Sequence, residues 1–144
     1  MLLAGLAATS FVHSQSLVPD DKQRKEIYLL IDKYSQSREK RDTVLLKGIL
    51  TTDIDQLVST GEWRDGINAS VKGMLNSSAT SPGTRTLQIE RIRLLNPSSG
   101  IVDCKYEISN PDGTLRKMWS TFIIVSHQEQ WKISAIRNML PSGQ

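Results

Sequence analysis

Residues 84–140 read TRTLQIERIRLLNPSSGIVDCKYEISNPDGTLRKMWSTFIIVSHQEQWKISAIRNML. Four strand-like runs follow one another in them: Thr84–Leu95, Gly100–Ser109, Leu115–Ser126 and Gln130–Leu140. Turn chemistry separates the runs. Asn96-Pro97-Ser98-Ser99-Gly100 comes first, then Asn110-Pro111-Asp112-Gly113, then the polar tip His127-Gln128-Glu129. Proline presets one turn dihedral, glycine reaches positive φ, and Asn and Asp bond back to the local backbone, so each break predicts a reversal of the chain. The four runs therefore predict an antiparallel meander.

Upstream the periodicity becomes helical. After Pro19, the acids Asp20 and Asp21 suit the positive end of a helix, and Ile27, Leu30, Ile31 and Tyr34 recur on one helical face. A second helix is expected after Asp42, carrying Val44, Leu45, Ile49 and Leu50 and interrupted only by Gly48. Asp55–Trp63 reads as a short hairpin about Thr60-Gly61. Asp65 is placed to cap a third helix with Ile67, Val71, Met74 and Leu75 inward, and the serine-rich 76–83 reads as a loop. Helices first and a meander last is an α+β order.

At 144 residues the chain suits one domain, large enough to hold its core without metal or disulfide. The net charge of +3 is mild, and basic and acidic residues alternate over 20–42 instead of forming a basic stripe, which argues against nucleic acid as a partner. Residues 1–16, MLLAGLAATSFVHSQS, hold no charge and place an apolar run before small residues, the pattern of a secretory signal too short to span a bilayer. The expected organisation is a signal peptide at 1–16 and one domain at 17–144, exported to the periplasm or secreted and free of the membrane after cleavage. Cys104 alternates with polar residues and reads as a small buried hydrophobe. His13 falls in the signal and His127 in a hairpin tip. No His, Cys and acid cluster has metal-ligand spacing, and neither a phosphate-cradling glycine loop nor a nucleophile elbow occurs, so no metal or cofactor is expected.

The order and spacing of Asp53-Ile54-Asp55, Gly61-Glu62-Trp63-Arg64-Asp65-Gly66, Ile92-Arg93-Leu94-Leu95-Asn96-Pro97, Ile101-Val102-Asp103, Tyr106-Glu107, Phe122-Ile123-Ile124-Val125 and the closing run Trp131–Pro141 resemble the SgcJ/EcaC branch of the SnoaL-like, nuclear-transport-factor-2-like proteins. The resemblance covers about residues 20–141. It implies a cone-shaped, cystatin-like fold whose curved sheet wraps helices around a pocket, usually in a dimer. Isomerases, cyclases, hydrolases and binding domains share that fold, so it does not settle a function. Some members carry a histidine in the last strand; Arg137 stands at the corresponding position here and cannot act as a base at neutral pH.

Counting across the turns, with Ser109 opposite Thr114 and Ser126 opposite Trp131, places Asp103, Ser120 and Arg137 in one row. The two charges are then about 10 Å apart at the backbone. They form either an ion pair that anchors the sheet or a ligand site, with Arg137 holding an anion and Asp103 serving as the candidate catalytic base; Arg93 and Glu107 compete for the same charges. Tyr34, Trp63 and Trp119 complete the set expected to line a pocket, each weighed against an ordinary core role. Three functions follow: a pocket protein for a small apolar or anionic molecule, a structural or dimerisation module with a filled interior, or an isomerase- or cyclase-type enzyme using a pocket carboxylate. Asp103 and Tyr106 have opposite strand parity, which weakens the third. The third strand is apolar on both faces, Met118, Phe122 and Ile124 against Trp119, Ile123 and Val125, so a homodimer through the sheet is expected.

Overall fold

The computed structural model describes residues 17–142; the predicted signal segment lies outside them. Helix α1 (Asp21–Glu39) opens with a capping box, in which Asp20 Oδ1 accepts from Gln23 N at 2.8 Å and Gln23 Oε1 accepts from Asp20 N at 3.0 Å. It buries Ile27, Leu30, Ile31 and Tyr34, the expected face. Helix α2 (Thr43–Ile49) is capped by Asp42, whose Oδ1 accepts from Leu45 N at 2.9 Å. Strand β1 (Leu50–Leu57) starts at once, so Leu50 belongs to a strand and not to the preceding helix as its spacing suggested. The hairpin to β2 (Trp63–Asp65) forms as expected, with Leu57 paired to Trp63.

Helix α3 (Gly66–Thr80) departs from the sequence reading twice. Asp65 makes no side-chain capping bond to it; its backbone is engaged in β2, opposite Asp55. The helix also continues through the segment read as a loop, since the hydroxyls of Ser77 and Thr80 donate to the carbonyls of Met74 (3.1 Å) and Asn76 (2.9 Å) and so stop competing for the backbone. Met74 is buried, with Ile67, Val71 and Leu75 packed against the core beside it.

The meander β3 (Thr84–Asn96), β4 (Ser99–Ser109), β5 (Leu115–His127) and β6 (Gln130–Met139) matches the four predicted runs within a residue or two. The sheet order is β2-β1-β6-β5-β4-β3, antiparallel except where β1 lies parallel to β6. Its concave face carries Val102, Cys104, Phe122, Ile124, Ile133 and Ile136 against the helices, and Tyr34 meets Phe122 edge-on with ring centroids 5.1 Å apart. The described architecture is the expected α+β, cone-shaped arrangement of helices on a curved sheet.

Register differs from the count by one residue at the first turn and, past the second, at a bulge within the strands. The loop after β4 holds five residues, Asn110–Thr114, with Gly113 at φ 85°, so Ser109 faces Leu115 and Asp103 faces Thr121. Ser126 does face Trp131, but the ladder shifts between Ile123 and Ile124, where Ser134 is the extra residue of β6, so Arg137 also faces Thr121. The two slips cancel at the ends of the row, which becomes Asp103–Thr121–Arg137. The bulge also changes parity: Trp131, Ile133 and Ile136 are buried against the helices, while Ala135 and Arg137 are paired with the outward-facing Ile123 and Thr121.

Candidate functional site

Beside the small Tyr106, Ile108 and Met118 cluster, which is separate from the Phe122 core, α1, α3, the β1–β2 hairpin and the inner faces of β3–β6 line a half-open cavity of about 290 Å³. Its apolar wall is Tyr106, Ile108 and Met118, with Val58 at the hairpin. Among the described residues its charged lining consists of four arginines, Arg38, Arg64, Arg85 and Arg116, and one carboxylate, Glu62.

Arg38 stands one turn beyond Tyr34 on the buried stripe of α1, which brings a guanidinium inside the cone. It donates to Tyr34 Oη at 3.1 Å and to Ser77 Oγ at 3.1 Å, and its Nε is buried without a partner among the described residues. Burial pulls its pKa down, but the hydroxyls of Tyr34 and Tyr106 outweigh that, so it stays above the ordinary guanidinium value and remains charged. Arg85 reaches the same residue from β3, donating to the carbonyls of Ser77 (3.4 Å) and Ser81 (2.7 Å), again with a buried, unpartnered Nε. Two guanidinium groups thus converge on Ser77, and among the described residues neither has a carboxylate partner.

Arg64 lies in the wall with a side chain only 11 % exposed, and its Nε donates to Glu62 Oε1 at 3.1 Å. It runs across Gly73 of α3, where a Cβ would stand 2.5 Å from its Cδ and Cζ. Arg116 is at the rim and donates to Ser59 Oγ at 2.9 Å. Gln56 is 3 % exposed and its amide nitrogen has no partner among the described residues. A cavity with surplus positive charge, spare donors and an apolar wall has the chemistry to accept an anion with an organic body.

The residues singled out from sequence lie elsewhere. Tyr34 is core, touching the cavity only through its bond from Arg38. Asp103 and Trp119 come together on the outer, convex face, where with Thr121 and Met139 they line a shallow depression of about 340 Å³. Asp103 does not pair with Arg137: it accepts from Arg91 Nη2 at 2.9 Å and from Thr121 Oγ1 at 2.8 Å. Arg137 instead donates to Asp55 Oδ1 at 2.5 Å, and its Cζ lies 4.8 Å from the Trp63 ring centroid, because the parallel β1–β6 pairing brings that hairpin alongside. Arg93 and Glu107 partner neither charge. Cys104 is fully buried, and burial, then Asp103 and Glu90, push its thiol up to about 12, leaving it neutral and unreactive.

Sequence reasoning missed the arginine cluster, though two of its members carried a signal. Arg38 extends the Ile27–Ile31–Tyr34 stripe, and Arg85 shares parity with the half-buried Leu87 and Ile89. A charge on an apolar stripe marks either a snorkelling side chain or a site.

Among solved structures, the chain superposes on an NTF2-like protein from Shewanella oneidensis with TM-score 0.69 at 13 % identity, covering 81 % of this chain and 98 % of that one. A cystatin-like domain from Nostoc punctiforme gives 0.76 at 12 %, covering 85 % and 80 %. This chain has the NTF2-like, cystatin-like fold. A third such protein, from Novosphingobium aromaticivorans, gives 0.71 at 16 %, covering 85 % and 84 %. No family model matches the chain, and no curated protein matches it in sequence. At these identities the likeness concerns the fold alone, and the fold hosts many functions.

Proposed function

We propose that this NTF2-like protein, of the SgcJ/EcaC type its sequence resembles, is an exported binding protein that takes a small organic anion into the cone. The observation that carries the reading is the convergence of Arg38 and Arg85 on Ser77 with no carboxylate between them. Like charges drawn together in a partly buried site are costly unless an anion joins them. Tyr106, Ile108 and Met118 offer its body an apolar wall. A carboxylate-driven isomerase or cyclase finds less support: Glu62, the one carboxylate lining the cavity among the described residues, is engaged by Arg64, and Asp103 faces the outside.

Titration of hexanoate into the full chain, followed by the arginine Nε–H signals in NMR, tests the reading. Arg38→Met and Arg85→Met should each weaken binding about 10- to 100-fold, the value of a charge-assisted hydrogen bond of about 1.5–3 kcal/mol. Equal binding by both variants would refute it, with unfolding curves showing that each variant is folded.

The outer sheet face supports the dimer reading. Trp119 (38 % exposed) and Met139 (51 %) stand on it beside the half-buried Ile101, Ile123 and Val125. A two-fold contact needs only this one self-complementary patch. Sedimentation at micromolar concentration checks it, and a 16.1 kDa monomer that persists on concentrating would overturn it.

A further inference from the structure

Arg64 and Glu62 form an unequal pair. The arginine is set into the cavity wall at 11 % exposure, whereas Glu62 is 60 % exposed and reaches it through a single contact at 3.1 Å between Nε and Oε1. That contact is the side-chain hydrogen bond of Arg64 among the described residues, and it is not the two-pronged fork that a built guanidinium–carboxylate pair adopts. Nor is Glu62 needed to hold Arg64 in place, since the arginine rests on the bare backbone of Gly73 and is confined by α3. The hairpin turn is closed by its own backbone, with Val58 N donating to Glu62 O at 3.0 Å and Gly61 N to Val58 O at 2.9 Å, so the Glu62 side chain can leave without unravelling it. A tethered carboxylate therefore occupies a guanidinium of the same cavity in which Arg38 and Arg85 lack one.

We infer that Glu62 stands in for a second anionic group of the ligand, so that the cavity takes a small organic dicarboxylate, one end at Arg38 and Arg85 and the other displacing Glu62 from Arg64. The inference rests on the anion-binding reading above and adds the ligand's second charge and its built-in competitor. In free protein Glu62 screens Arg64; in the complex it swings to solvent, which its exposure allows.

The test titrates the straight-chain dicarboxylates from succinate to suberate, and the monocarboxylate of equal carbon number beside each, into the full chain and into Glu62→Gln and Arg64→Met at matched ionic strength. The wild-type chain should prefer the best-fitting dicarboxylate over its monocarboxylate. Glu62→Gln should tighten that dicarboxylate about 3- to 5-fold, the scale set by removing an exposed ion pair, and leave the monocarboxylate within about 2-fold. Arg64→Met should abolish the preference. If Glu62→Gln weakens both ligands, Glu62 is a positioning residue, and if it changes neither, Glu62 does not compete; either result overturns the inference while hexanoate binding keeps the anion reading intact. Failure of every acid to bind would overturn both.

Discussion

Replacing Gly73 by alanine separates the stability of the fold from the capacity of the cavity. Gly73 is buried within α3, and the three atoms nearest to an added Cβ would all belong to the Arg64 side chain, with Cδ and Cζ at 2.5 Å. The obstruction is therefore the far end of a flexible side chain, not backbone. Alanine in a helix interior gains about 0.5–1 kcal/mol over glycine. Moving Arg64 aside forfeits the contact to the largely exposed Glu62, worth less than about 1 kcal/mol. The two nearly cancel, so urea unfolding of Gly73→Ala should give a free energy within about 1 kcal/mol of wild type. Binding should not be spared. Arg64 leaves the wall, and the best dicarboxylate should weaken about 10-fold or more, one charge-assisted hydrogen bond being worth about 1.5–3 kcal/mol. A stability loss above about 2 kcal/mol, the range of true overpacking, or an unchanged dicarboxylate affinity would refute this account of Gly73.

Two further outcomes follow from the outer face and the core. In double-mutant cycles, Arg137→Met and Asp55→Asn should couple by about 0.5–1 kcal/mol, since both side chains are a third or more exposed, whereas Arg137→Met and Asp103→Asn should add without coupling because their partners are separate. Cys104 titrates near 9.0 when unfolded and about 12 when folded, so its contribution is fully present below pH 9 and is lost as pH rises through that window. The stability difference between wild type and Cys104→Ala should accordingly shrink by up to about 1.4 kcal/mol per pH unit above pH 9, and a constant offset from pH 8 to 10.5 would contradict the raised thiol.

What could be read from sequence was what local chemistry determines. Asn-Pro-Asp-Gly and its counterparts marked the strand ends, and Asp20 and Asp42 the helix starts, because turn and cap geometry depend on a few adjacent residues. Register was less legible: a loop of four residues and one of five share the same signature at 110–114, and nothing near Ser134 announces a bulge. The length of α3 was misread because serine hydroxyls that favour loops in isolation can bond back to their own helix once Arg38 and Arg85 bind Ser77. The cavity was hidden for a related reason. Its arginines come from one helix and three strands, at separations above twenty residues, and only the folded sheet brings them together. Conversely, Asp103 and Arg137 were placed correctly in one row, yet parallel pairing with β1, which no local pattern signals, gave Arg137 a different partner.

The same pairing has a bearing on how the chain acquires its shape. Within the sheet β1 has two neighbours, β2 and β6, and Asp55 meets Ala135 eighty residues later. During synthesis the hairpin bearing Val58, Ser59, Glu62 and Arg64 must wait for nearly the whole polypeptide to emerge before it can dock beside β6. The meander can assemble from neighbours in sequence, whereas this junction closes a long loop and is expected among the slowest steps. The cavity's hairpin wall would then be the last part of the molecule to exist, and a chain truncated before residue 130 could build much of the meander without completing the cavity.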